Sequence, residues 1–216
     1  MSGATAVTEA QTGGPDGPGA VTDGRRLRRD RNRLAVVDAL LDLYADGNLR
    51  PSSAEIAERA GLSPRSLFRY FDDVDDLCRA AIDRQLSRAL PLVPLGVADT
   101  APLAERVEAV VAQRVRLFAA IAPAATVSRL EAPFQPVLAA ELASGRAVLR
   151  AQLSHVFRPE LSRFADGGGA LSALDVLCSF ESYHLLRHDQ GLSDDEVAAV
   201  LRAAIAALVA RAAAPR

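Results

Sequence analysis

Between Ser63 and Phe71 the chain sets Arg65, Ser66, Arg69 and Tyr70 on one side of a helical pattern whose other side is held by Leu67 and Phe71, with no acid in between. An arginine fork bonds phosphate oxygens and guanine edges, and hydroxyls add short donors and acceptors. An outer face built only from such groups therefore suits a polyanion: Arg65 and Ser66 at base edges, Arg69 and Tyr70 at phosphates or adjacent bases. Phe68 sits at the margin, either a contact for a thymine methyl or a core residue. A second basic group lies upstream, six arginines within Arg25–Arg33. Such a cluster, with Arg28 and Arg29 as its candidate contacts, suits an arm that follows phosphates or enters the minor groove; the alternative is a solvated, solubilising cluster.

Other residue sets point to other chemistries. Glu181, His184 and His188 fall at i, i+3 and i+7, one helical face, where three such ligands could bind a metal ion and support a metal-dependent helical enzyme. The competing reading makes the histidines partners of a helix end, and no metal site is assigned. The chain has no nucleophile with a paired base, no glycine-rich phosphate loop and no cysteine cluster, so neither catalytic residues nor a cofactor are expected. Arg114, Phe118, Phe134, Gln152 and His155 mix polar groups with aromatics inside helical patterns. They form either the lining of a small-molecule pocket or core aromatics with surface polars.

The elements that must position the basic face are legible from local signals. Ser52 or Ser53 can accept the orphan N–H groups of a first helix, with Glu55 or Glu58 near its positive end. Ser53 is also placed to anchor that helix start to a phosphate. Ile56, Ala57 and Ala60 make an inward stripe, small enough at the alanines for a second helix to approach. Gly61 suits the left-handed turn that ends a helix, Ser63 caps the next one, and Pro64 takes its first position, where a missing N–H costs nothing. The second helix runs on to Phe71. A preceding helix carries Leu34, Val37, Leu40, Leu41 and Tyr44 and ends near Gly47; a following one starts among Asp72, Asp73, Asp75 and Asp76 and is striped by Val74, Leu77, Cys78, Ala81, Ile82, Gln85 and Leu86. Two short helices joined by a tight glycine turn make a helix-turn-helix, the motif that lays its second helix in the DNA major groove.

From about Arg25 to Leu86 the chain resembles the DNA-binding domain of the tetracycline-repressor (TetR) family of bacterial regulators. The residues that carry the resemblance are Ile56 to Ser63 and Leu67 to Phe71, followed by Leu77. The resemblance implies an all-α protein: an N-terminal three-helix DNA-binding domain and a C-terminal helical domain for ligand binding and dimerisation. It implies a homodimer, joined through the two C-terminal helices, that binds a palindromic operator in double-stranded DNA. The implied action is repression relieved by a small-molecule effector; a regulator of the same fold without a small ligand is the alternative. The family often places a phosphate-contacting Lys where this chain has Val74, which puts one backbone contact in doubt.

Composition supports this division. Residues 1–24 carry three acids and no base, residues 25–71 ten Arg against six acids, residues 72–90 three Arg against five acids, and the remainder twelve Arg against thirteen acids. Net positive charge is thus confined to the segment with the basic faces. Residues 1–24 lack apolar periodicity and are expected to be a disordered tail; 25–90 form the DNA-binding unit with its connecting helix, and 91–216 the regulatory and dimerisation unit. Within the latter, helices are expected near 102–121, 123–131, 134–157, 170–188 and 193–213, with Gly167–Gly169 a flexible connection. Helix 170–188 is apolar on more than one face, as is the last, whose alanines widen its stripe; such faces need a second partner. Arg, Asp or Pro interrupts every apolar run before the roughly 18 residues of a membrane span, and no signal core opens the chain, so a cytoplasmic protein without membrane contact is expected. Cys78 and Cys178 lie in apolar helical patterns, as buried thiols do.

Overall fold

The computed structural model describes residues 18–164 and 166–210, and among them there is helix and no strand. In chain order the helices are α1 (Pro18–Ala45), α2 (Ser53–Arg59), α3 (Pro64–Leu67), α4 (Val74–Ala89), α5 (Leu103–Glu131), α6 (Pro136–Val156), α7 (Arg158–Leu161), α8 (Gly167–Leu177), α9 (Phe180–His184) and α10 (Asp194–Ala210). The fold is all-α. The tail expected over 1–24 lies outside the described residues as far as 17, but from Pro18 the backbone is already helical. Proline is favourable in a first turn, and the Arg and Leu that follow sustain a helix.

Local signals set the ends of α2, α3 and α4. Ser52, rather than Ser53, caps α2: its Oγ accepts the Glu55 N–H at 3.3 Å while Glu55 Oε2 accepts the Ser52 N–H at 2.7 Å, a complete capping box. Gly61 turns the chain at φ +68°, where a Cβ would be strained. Ser63 Oγ accepts the Ser66 N–H at 3.2 Å to open α3, and Asp73 accepts the Asp76 N–H at 2.7 Å to open α4. The second helix of the motif is shorter than expected. After Leu67 it tightens into three-residue turns, Arg69 N–H to Ser66 O at 3.2 Å and Tyr70 N–H to Leu67 O at 2.9 Å.

Buried residues fall into two clusters. Val36, Val37, Leu40, Leu41, Ile56, Ala57, Leu67, Phe71, Leu77 and Ala81 join α1–α4. Leu34, expected in the α1 stripe, is exposed, because α2, α4 and α5 meet α1 on the side of Val36, Val37 and Leu40. The second cluster gathers α5, α6, α8, α9 and α10 around Val110, Phe118, Leu153, Leu174 and Ile205. α4 reaches both, since its terminal Ala89 belongs to the second cluster, and α5 packs on α1 and α4.

Four expectations in the C-terminal half are corrected. Pro123 does not divide α5: the carbonyl it leaves without a partner belongs to exposed Ala119, where solvent is at hand, and packing along the rest of the helix offsets the roughly 3 kcal/mol that an interior proline costs. The unbroken α5 is long and apolar enough to cross a membrane, contrary to the sequence reading, yet Val110 and Val111 are wholly buried within the second cluster. The single helix expected over 170–188 is broken. Asp166 caps α8 through the Gly169 N–H at 2.9 Å, so the three glycines lie in its first turn rather than in a connection. Ser179 then caps α9 through the Ser182 N–H at 3.1 Å, and Leu185–Asp189 widens into a π-helical turn.

Candidate nucleic-acid interface

The exposed side of the helix-turn-helix carries Arg65, Phe68 and Arg69, with Ser66 half-buried and Ser53 exposed at the start of α2. Phe68 is 56 % exposed, so of its two readings the outward one matches its placement. Tyr70 is corrected: only 7 % exposed, it belongs to the core, and its hydroxyl accepts the Asn32 Nδ2–H at 2.7 Å. Buried Tyr hydroxyls take a partner, and here that partner lies on α1, which local spacing could not foresee.

Arg28, Arg29 and Asn32 of α1 converge with Arg69 and Tyr70 on one open concavity of about 370 Å³. The Arg69 guanidinium lies 5.8 Å from the centre of the Tyr70 ring. Asn32 was absent from the sequence-based set, although its spacing of four from Arg28 and three from Arg29 marks a shared helix face. Among the described residues of this basic segment, ion pairs engage Arg33, with Asp76, and Arg59, with Asp46, whereas Arg28, Arg29, Arg65 and Arg69 are exposed and carry none.

Arg33 serves the fold. It bonds Asp76 through both terminal nitrogens at 2.7 and 3.1 Å, donates to the Tyr70 carbonyl at 2.6 Å and covers the Phe71 ring at 4.3 Å. That hydrogen bond holds the Asp76 carboxyl below the usual carboxylate range, against the opposing effect of burial. Of the acids after Phe71, Asp76 is thus neutralised by Arg33, and Asp73 is spent on the α4 cap.

A second cavity, of about 570 Å³, lies between the two clusters. Leu40 and Tyr44 of α1, Cys78 and Ile82 of α4, Phe118 of α5 and Leu138 of α6 line it, and burial pushes the Tyr44 hydroxyl pKa up. The structure divides the residues expected to bind a ligand. Phe118 lines this cavity; Arg114 and Gln152 do not line it, Arg114 being wholly buried and bonding Gln152 Oε1 at 3.0 Å; Phe134 is 80 % exposed; His155 faces solvent 3.9 Å from Asp99. Helical spacing identified none of the α1 or α4 residues of this lining, since the cavity arises only where α5 and α6 meet the first cluster.

The Glu181–His184–His188 set is also divided. Glu181 bonds Arg129 at 2.8 Å and Arg146 besides, and is not grouped with the imidazoles. The His184 and His188 rings stack at 4.9 Å, and their nitrogens lie within 4.8 Å of an Asp189 carboxylate oxygen, so Asp189 takes the place expected for Glu181.

No family model and no curated protein matches the chain. Solved structures do. A protein of Rhodococcus sp. named as a TetR-family transcriptional regulator superposes with a TM-score of 0.61 at 18 % identity, covering 83 % of this chain and 99 % of its own. A TetR transcription regulator from Haloarcula marismortui gives 0.60 at 17 % identity, covering 84 % and 98 %. A transcriptional regulator of Streptomyces coelicolor gives 0.58 at 24 % identity, covering 83 % and 98 %. The chain has the fold of these regulators.

Proposed function

We propose that this chain, built on the TetR fold, is a DNA-binding transcriptional regulator: a cytoplasmic homodimer that represses from a palindromic operator and leaves it when a small molecule binds. The observation that carries the reading is the basic concavity in which Arg28 and Arg29 of α1 meet Arg69 beside the exposed Arg65, all without ion-pair partners. Unpaired, converging guanidinium groups are what a phosphate backbone neutralises. Arg65 and Ser66 read base edges, Phe68 meets a thymine methyl, Arg28, Arg29 and Arg69 hold phosphates, and Ser53 anchors the start of α2. Tyr70 takes part as the buried support of Arg69 and Asn32. Residues 25–90 act as the DNA-binding unit and 91–216 as the regulatory unit.

Two further observations support the finer parts. Val176 on α8, Leu185 after α9 and Val200 on α10 are 65, 47 and 43 % exposed, which leaves apolar surface on the elements expected to meet a second copy. The larger cavity is walled on one side by α1 and α4 and on the other by α5 and α6. A ligand filling it bears on α4 directly, changing the separation of the two recognition elements in a dimer.

Selection from a randomised duplex library tests the central claim. Enrichment of a two-fold symmetric motif, with affinity falling steeply as salt rises, is the expected outcome. Recovery of no motif, or affinity indifferent to salt, would sink it.

A further inference from the structure

His184, His188 and Asp189 stand close together because of the shape of the backbone that joins them. In a regular α-helix the fifth residue on lies about 140° round the axis, which would set Asp189 apart from His184. Here Leu185–Asp189 is a π-helical turn, and the Gln190 N–H bonds the Leu185 carbonyl at 3.0 Å. A turn closed between residues five apart returns the fifth residue to the starting face. One ligand atom from each of the three side chains thus falls within 4.8 Å of the others. Such turns are rare in helices and are frequent at functional sites.

The surrounding charges leave this cluster open to a cation. Arg187, in the same turn, bonds Asp194 at 2.9 Å and the Leu192 carbonyl, while Arg129 and Arg146 are held by Glu181. Among the described residues the Asp189 carboxylate therefore meets no arginine; the basic group beside it is His188 Nδ1 at 3.9 Å. The His184 ring is steadied between the Phe180 ring at 5.6 Å and the His188 ring at 4.9 Å. His188 and Asp189 are exposed and can turn about their side-chain bonds. Metal–ligand bonds of about 2.0–2.1 Å set tetrahedral ligand atoms roughly 3.3 Å apart, so closing on an ion takes movements of roughly 1.5 Å. Rotation of two exposed side chains supplies that much.

We propose that His184, His188 and Asp189 bind a divalent transition-metal ion, with zinc the ion their chemistry matches. Two imidazoles and one carboxylate suit Zn2+, and they offer too few oxygens to hold Mg2+ or Ca2+. Three protein ligands leave a fourth position to water. A bound ion ties the end of α9 to the turn that leads into α10. The site stands apart from the DNA-binding reading and does not depend on it.

Calorimetric titration of the full chain, carrying no histidine tag and stripped with chelator, tests the site. One zinc per chain is expected, with a dissociation constant of about 10 μM or tighter, a raised Tm, and no response to Mg2+. His188→Gln alters an exposed ring, so the helical content should stay and zinc affinity should fall about tenfold or more; Asp189→Asn should weaken binding in the same direction. His155 is the other histidine of the three in the chain, and His155→Gln should leave binding unchanged. Absence of binding, binding only at millimolar zinc, or affinity that survives His188→Gln overturns the site. Phe180, His184 and His188 would then be a packing stack of rings that needs no ion. Affinity lost in His155→Gln overturns it equally, since the ion would be held elsewhere.

Discussion

Arg33 and Asp76, 43 residues apart, form a two-pronged ion pair that fastens α1 to the first turn of α4, with nitrogen–oxygen distances of 2.7 and 3.1 Å. The same guanidinium bonds the Tyr70 carbonyl, so one arginine joins the arm, the end of the recognition element and the connecting helix. Because the Asp76 carboxyl is held below its ordinary range by Arg33, it adds stability that is present above about pH 4 and is lost as pH falls through the depressed folded value. Asp76→Asn should therefore destabilise by about 1 kcal/mol at neutral pH, the modest figure reflecting a pair that is partly open to solvent, and the difference from the parent should shrink below pH 4. Urea melts at both pH values check it; an unchanged difference in acid would count against the assignment.

Arg65 and Arg28 are expected to fail differently. Arg65→Ala should cost ~1–3 kcal/mol at the preferred operator and relax specificity at one base pair. Arg28→Ala should weaken all duplexes alike and lower the salt dependence by about one phosphate contact. Affinity measured against matched and mismatched duplexes over a salt series separates the two. The reverse pattern would exchange their roles.

Arg106 and Glu160 are 5 and 6 % exposed and bonded at two points, a buried pair tying α5 to α7. Glu160→Gln leaves Arg106 charged and without its partner, and should cost about 3–5 kcal/mol. The double change Arg106→Met with Glu160→Leu should recover most of that loss, since two apolar side chains leave no buried charge behind. Chemical denaturation of the three proteins decides it: a double variant no more stable than the single one would show that packing, not charge, is what fails.

Val200, exposed on α10, and the more open Val176 of α8 mark the surface expected to meet a second copy. Val200→Glu should leave the helical content intact and shift the protein toward monomer in sedimentation, with loss of tight operator binding. A variant that remains dimeric would place the interface elsewhere.

What the chain declares by itself is local. The capping box of Ser52 and Glu55, the turn at Gly61 and the Ser63–Pro64 start depend on groups within a few residues of one another, so their identities suffice to foresee them. The all-α class and the outward Arg65 and Arg69 follow from the same short-range periodicity. Tertiary contacts decided the rest. Tyr70 turned inward because Asn32, 38 residues away, offers its hydroxyl a donor, and Arg33 left the basic arm because Asp76 and Phe71 receive it. Pro123 stayed within a helix because the surrounding core outweighs one lost hydrogen bond. Arg114 reads in sequence as one polar residue among apolar neighbours; only the packing of α5 against α6 reveals a wholly buried charge with neutral acceptors and no acid bonded to it. Residue types set what each group can do, but which groups meet is decided by helices brought together from distant parts of the chain, and that information is carried by no single segment.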